Sequence, residues 1–284
     1  MSPDLEELCS VLDLTPGGAG RFEAHSVKMG GLPSAFGGQL LAQIVVAADR
    51  TVPDKTVKSL HAIFVRPVEL DAPMSIEVDV MHTGRLYASL TVSIVQKERL
   101  CVRGLVLLDT ADVELAAHAS PPPPVTHPDE AGVRSTLGVA ETCVPPDGDL
   151  GAGDLGDGAR PGRPEMLVWV RFAGIPPDDG LNRALMAYAS EPFFFGAALR
   201  PHGSSESISS TGLVPAVITH TVTFHGPVSA AGWNLLHVTS PHVGRGRIFG
   251  HGSVFSEAGE FVASVSQENQ LRPGRPRPTN EKGI

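Results

Sequence analysis

The sequence is poor in cysteine, in tryptophan and tyrosine, and in long apolar runs. Of 284 residues, three are cysteine, two tryptophan and two tyrosine. Cys9, Cys101 and Cys143 are odd in number and widely scattered, which leaves no disulfide framework and no paired CxxC metal site. Cys101 stands between Leu100 and Val102 and is expected as a buried, inert thiol. No apolar run approaches the roughly 20 residues that cross a bilayer. The N-terminus shows no basic region followed by an apolar stretch, so no signal peptide is expected. Basic residues are also in the minority: 22 Lys and Arg against 31 Asp and Glu give a net charge of -9. A nucleic-acid partner, which demands a basic surface, is not expected. The motifs GxSxG, HExxH and Walker A are absent. The glycines from Gly244 to Gly250 miss a dinucleotide fingerprint by one residue and sit in strand sequence. His220 and His225 lie five apart on a strand-like run, so they face opposite sides and make a poor metal pair. What remains is a reduced, cytoplasmic protein with no expected cofactor or metal, whose chemistry falls to carboxylates, amides and hydroxyls.

What is present is ample core material. Hydrophobic residues make up 42% and charged residues 19%, in a chain long enough for two domains. Between Ser120 and Pro164 the sequence is crowded with Pro, Gly and Asp, as an external linker would be. The chain divides accordingly into residues 1–115, a linker at 116–164, a second unit at 165–272 and a tail at 273–284. Each unit reads alike. In the first, Phe22 to Lys28 alternates as a strand and Phe36 to Ala48 is almost wholly apolar. Strand-like runs follow at Val57 to Val68, Met74 to Met81, Ala88 to Gln96 and Leu100 to Leu108. In the second, Leu167 to Phe172 is a strand and Leu181 to Leu199 is helical with a break at Pro192. Strands follow at Ala216 to His225, Asn234 to Ser240, Arg247 to Phe255 and Phe261 to Leu271. Phe64-x-x-Pro67 recurs as Phe224-x-x-Pro227, and His82-x-Gly84-Arg85 as His242-x-Gly244-Arg245. Both recurrences are 160 positions apart (224 − 64 and 242 − 82), the mark of an internal duplication. A helix as apolar as Phe36 to Ala48 has to be surrounded by protein or lipid.

Several segments carry a more specific likeness. Phe36-Gly37-Gly38-Gln39 with Gln43 is similar to the FGGQ-x-x-x-Q helix start of TesB-type thioesterases. His61-x-x-Phe64-x-Arg66-Pro67 resembles their H-x-x-F-L-R-P strand. Tyr188-Ala189-Ser190-Glu191 resembles Y-A-S-D, and Pro201-His202-Gly203 follows as P-H-G. His220-x-x-x-Phe224-His225-x-Pro227 resembles H-x-x-x-F-H-R-P with Gly226 in place of Arg. Val262-Ala263-Ser264-x-x-Gln267-Glu268 resembles V-A-S-x-x-Q-E. Running in order from about residue 5 to 272, the set resembles the acyl-CoA thioesterase II family. The resemblance implies an α+β fold, a tandem double hotdog of two antiparallel sheets, each wrapped around a central helix, with the two sheets pairing edge to edge. It implies hydrolysis of a fatty acyl-CoA to free acid and CoA by activated water, and a homo-oligomer of two or more chains.

The family's Asp, Thr and Gln fall, by position, on Glu191, Val217 and Gln267. Glu can act as general base as Asp does. Pro192 is expected to end one helix and open another, which sets Glu191 beside free backbone N–H groups from Ser190 to Phe193 that could hold the thioester oxygen. A helix cap is the plainer reading of Glu191. Val217 has no hydroxyl; a strand's two-residue period would put Thr219 and Thr221 on its face, where Thr219 could stand in for the missing Thr, or both could be ordinary strand residues. Gln267, an amide in an apolar strand, needs partners if buried. Gly38, Gln39, His61, Ser190, Phe193 and Thr221 are expected to bind substrate. Phe193, Phe194 and Phe195 read either as the wall of an acyl tunnel or as core. Arg85, Arg245, Arg247 and Arg272 read either as grips for CoA phosphates or as solvated surface. Two other classes stay open: a hotdog hydratase or dehydratase, and an acyl-CoA binder without turnover, which the missing hydroxyl favours. Acyl chain length and the carrier, CoA or protein, are left open.

Overall fold

A computed structural model describes residues 4–130, 133–137, 139–146, 162–202 and 213–273. The first unit contains α1 (Leu5–Leu12), β1 (Thr15–Pro16), β2 (Arg21–Ala24), α2 (Gly37–Thr51), β3 (Thr56–Phe64), β4 (Met74–Thr83), β5 (Tyr87–Gln96) and β6 (Arg99–Asp109). The remainder supplies β7 (Val133–Leu137), β8 (Ala140–Val144), β9 (Glu165–Arg171), α3 (Asp179–Ala189), α4 (Phe193–Leu199), β10 (Leu213–Phe224), β11 (Asn234–Gly244), β12 (Arg247–Ser256) and β13 (Phe261–Pro273). Each run predicted from periodicity overlaps one of these elements, although β2 ends at Ala24 and β3 at Phe64, short of the predicted Lys28 and Val68, and α3 and α4 flank the expected break at Pro192. The short α1, β1, β7 and β8 were not legible. α1 is set by Asp4, whose carboxylate accepts from the backbone N–H of Glu7 in its first turn.

Where two sheets pairing edge to edge are expected, the described strands form one continuous antiparallel sheet of 13, in the order β1-β2-β4-β5-β6-β3-β10-β13-β12-β11-β9-β8-β7. The two halves meet edge to edge, because β3 and β10 pair and leave neither edge open. At that seam His61 stands opposite Thr221, its own counterpart 160 positions along (221 − 61). Two copies related by a local two-fold meet in this way. Eleven of α2's fifteen residues are buried, and the helix packs on β3, β4, β5 and β6, while α4 packs on β9, β11 and β12. Part of the segment predicted as linker is built in: β7 and β8 pair with each other, and β8 extends the sheet beyond β9. Pro122 to Pro124 line a cleft with Trp169, Leu235 and Phe255, where the Trp169 indole N–H donates to Thr126 O at 3.1 Å. Most of the rest of that segment, residues 147–161, and the tail beyond residue 273 lie outside the described residues, as does Gly203.

The seam strands share one irregularity that decides which residues face the helices. In β3 the register against β6 jumps between Val57 and Ser59; in β10 the register against β13 jumps between Val217 and Thr219. Lys58 and Ile218 are thus extra residues at equivalent places (218 − 58 = 160), and each reverses the in-and-out alternation after it.

Candidate active site

α2 and α3 lie side by side and antiparallel, in contact at both ends through glycine. A Cβ on Gly38 would fall 2.5 Å from Tyr188 O in α3's last turn, and one on Gly180 would fall 2.5 Å from Asp49 Oδ2 in α2's last turn. A side chain at Gly38 would drive the helices apart, and one at Gly180 would displace the Asp49 carboxylate. The start of α2 has a further property. Its N-cap residue, Phe36, makes no side-chain hydrogen bond to the helix, and no acidic residue occupies the first turn. The backbone N–H groups of that turn have no partner within the helix, and they carry the positive end of its dipole.

Glu191 meets this helix start. It follows the end of α3 by two residues, and a Cβ on Gly37 would fall 3.4 Å from Glu191 Oε1 and 2.9 Å from Val217 Cγ1. The carboxylate therefore lies at the start of α2, while α4, seven residues long, begins two residues further along the chain, after Pro192. Glu191 keeps part of its surface open. Burial of its carboxyl, which disfavours the charged form, pushes its pKa up to about 7.

Behind Glu191 runs a buried polar chain. Gln267 Nε2 donates to the backbone oxygen of Glu191 at 3.2 Å and to Asn269 Oδ1 at 3.0 Å; Gln267 Oε1 lies 2.6 Å from His220 Nδ1; His220 Nε2 lies 2.9 Å from Ser190 Oγ. One backbone carbonyl fixes every orientation. Glu191 O can only accept, so Nε2 of Gln267 faces it and Oε1 faces His220. His220 Nδ1 must then carry the proton. Complete burial pushes the His220 pKa down to about 4, so the ring is neutral at pH 7 and Nε2 accepts from the Ser190 hydroxyl. Ser190 Oγ also donates to Ala187 O at 2.9 Å, so its single proton is shared between that carbonyl and the ring. Ser190 is fully buried, which makes it an anchor for the ring and not a nucleophile.

The bulge at Ile218 corrects the reading of β10. Residues directly opposite on antiparallel strands share a face. Val217 pairs with Asn269 and His220 with Gln267, so these four face the helices. Thr219 pairs with Glu268 and Thr221 with Ser266, and these face outward. Thr219 thus cannot supply the hydroxyl missing at Val217. His61 is likewise outward, its Nδ1 2.7 Å from Thr221 Oγ1 across the seam, and neither residue reaches Glu191. Gln39 is a brace: its buried amide accepts from Val27 N at 3.0 Å and donates to His25 O at 3.1 Å. Phe193, Phe194 and Phe195 are all in the buried apolar clusters. Arg245, Arg247 and Arg272 lie at the Val217 end of the second half, where Leu271 N donates to Gly246 O. Arg85 lies at the opposite end, beside the Thr56–Asp109 pair, so it cannot share a ligand with Arg245. His220 and His225 do face opposite sides, His225 Nε2 lying 2.7 Å from Ser264 Oγ. Among the described residues no three His, Cys, Asp or Glu side chains gather as metal ligands.

His220 and Asn269 are the residues that sequence reasoning missed. Both are polar at inward positions of strands whose other inward residues, such as Val222, Phe224 and Val265, are apolar.

Comparison with known proteins gives this geometry a context. Residues 25–108 match the family model described as acyl-CoA thioesterase N-terminal domain, and residues 116–271 the one described as acyl-CoA thioesterase C-terminal domain. Acyl-CoA thioesterase 2 of Haemophilus influenzae is 27% identical over 259 residues, covering 85% of this chain and 89% of that protein. The structure of an acyl-CoA thioesterase II, TesB2, from Mycobacterium marinum superposes with a TM-score of 0.79 at 26% identity, over 94% of this chain and 98% of the other. A hot dog fold protein from Alicyclobacillus acidocaldarius gives a TM-score of 0.74 at 17% identity, over 95% and 98%, and so shows the fold.

Proposed function

From the premise that this chain belongs to the acyl-CoA thioesterase family, we propose that it hydrolyses fatty acyl-CoA to free acid and CoA with Glu191 as general base. The observation that carries the assignment is the Glu191 carboxyl, 3.4 Å from the Cβ position of Gly37 at the uncapped start of α2. Glu191 takes one proton from a water molecule, while Gln267 Oε1, besides accepting from His220, accepts a hydrogen bond from the water's other O–H and holds its oxygen in line. The attacked carbonyl oxygen gathers negative charge beside the first-turn N–H groups of Gly37 and Gly38, which stabilise it. The tetrahedral intermediate then expels CoA thiolate, which recovers the proton from Glu191. His220 is a positioning residue, holding Gln267 through Nδ1–H.

In fold terms we read residues 1–115 and 165–272 as tandem hotdogs, with 116–164 as connector and 273–284 as tail; the second carries the base and the amide. CoA phosphates fall to Arg245, Arg247 and Arg272 rather than to Arg85. Three free cysteines accord with a reducing, cytoplasmic setting. A homo-oligomer is supported by apolar residues exposed on the strands, among them Ile63, Leu105 and Phe249.

Thiol release from a panel of short to long acyl-CoAs tests the reading. Wild type is expected to turn over at least one of them, and Glu191→Ala to lose about 10²- to 10⁴-fold in kcat, the ordinary worth of a general base. Gln267→Ala should fall with it. Binding of every acyl-CoA without thiol release would leave a binding protein instead.

A further inference from the structure

The hydroxyl missing at Val217 leaves the site short of a side-chain donor, and the strand opposite carries one. Asn269 stands directly across from Val217 on the face that meets the helices. Its other cross-strand neighbour is Ile248, which is completely buried, so the amide lies between two aliphatic side chains. Asn269 is only 3% exposed. Its oxygen is committed, accepting from Gln267 Nε2 at 3.0 Å, while its Nδ2 has no hydrogen-bond partner among the described residues. The orientation is not arbitrary, because the Gln267 nitrogen is fixed by the Glu191 carbonyl and so requires the Asn269 oxygen. A buried amide nitrogen with two unused protons is costly unless something in the working cycle accepts from it.

We propose that Asn269 is a catalytic residue, its Nδ2–H donating to the thioester carbonyl oxygen in place of the hydroxyl that position 217 lacks. The proposal rests on the thioesterase reading above. No proton is transferred: the carbonyl oxygen takes the electron pair of the C=O bond as water attacks, and Nδ2–H and the start of α2 share the resulting charge. When the C–S bond breaks and the pair returns, the amide is unchanged. Val217 cannot donate, but it sets the wall of the site against Gly37 and leaves the polar contribution to the residue opposite.

The test measures kcat and KM for thiol release by wild type, Asn269→Leu, Val217→Thr and the double variant, with thermal melts to confirm folding. Asn269→Leu should lower kcat about 10²- to 10³-fold, the usual loss of one oxyanion donor, with KM nearly unchanged. Adding Val217→Thr should restore about tenfold or more, because a hydroxyl across the strand pair reaches the same space. Asn269→Asp, which keeps the oxygen that Gln267 binds and removes the donor, should stay as slow as Asn269→Leu. A folded Asn269→Leu with wild-type kcat, or a loss that Val217→Thr does not relieve, would overturn the donor assignment. If Glu191→Ala is inactive in that same experiment, the thioesterase reading survives. A wild type that releases no thiol from any acyl-CoA overturns both.

Discussion

The two halves of the sheet share a framework and differ in what they put on it. Strand β5 repeats as β12, β4 as β11 and β3 as β10, with equivalent bulges at Lys58 and Ile218. On the inner face the second half carries Val217, Asn269, His220 and Gln267; the register of the first half sets Val57, Leu108, Leu60 and Val106 at the matching places. Even the carboxylates correspond, since Asp49 reaches the start of α3 as Glu191 reaches the start of α2. The helix starts do not correspond. The N-cap of α3, Asp178, accepts from the Leu181 N–H with its own carboxylate, with Asp179 in the first turn, whereas the start of α2 has neither. One helix end is thus closed by its own side chain and the other is uncapped, which is where the proposed mechanism sets the substrate. The comparison teaches that scaffold and chemistry separate cleanly: three amides or imidazoles on an inherited face, and one missing cap, distinguish a site from a core.

The sharpest way to break the comparison is to give the second half the residues of the first. His220→Leu installs the residue found at Leu60. It frees Gln267 and should cost about 10²-fold in kcat, the scale of a slight misplacement of a reacting group. His220→Asn keeps a donor near the Nδ1 position and should recover most of that loss, which a purely structural role would not predict. Asp49→Asn, at the closed helix start, should leave kcat unchanged in the same assay.

Packing gives a smaller effect. Gly38→Ala would press a methyl onto the Tyr188 carbonyl, only 2.5 Å away, and should destabilise by about 1–3 kcal/mol in a denaturant titration. Protonation of Glu191 gives a subtler one. Its folded pKa of about 7 lies above the ordinary 4.5, so between those values the folded chain binds more protons than the unfolded. Stability contributed by this group is present at low pH and lost as pH rises through about 7. Glu191→Gln should therefore melt above wild type at pH 8 and level with it at pH 4. The smallest effect belongs to His61→Ala on the outward face, expected to leave kcat within twofold of wild type.

Most of the scaffold was legible because strand and helix periods are written in the apolar pattern, and because two motifs recur 160 positions apart. Glu191 and Gln267 were found through their neighbours in sequence. The face of Thr219 was misread because a two-residue period was carried across a bulge, which is a property of backbone pairing. A signal was nonetheless present: inward residues at 57, 60 and 62 step by three before they step by two, and 217, 220 and 222 repeat it. His220 was weighed only as a metal ligand, and its inward place beside Val222 and Phe224 was the clue to a buried partner. The edge-to-edge meeting of the halves is implied by the hotdog likeness, but which strands meet, β3 and β10, no single run of residues encodes.

The most direct test of Glu191 as the base is the pH dependence of kcat/KM for thiol release, in wild type and Glu191→Gln. The wild-type rate should climb as pH passes through about 7 and then level off, as the carboxyl ionises, while Glu191→Gln stays low and flat. A wild-type rate that is flat across pH 5 to 9, or a climb that persists in Glu191→Gln, would contradict it.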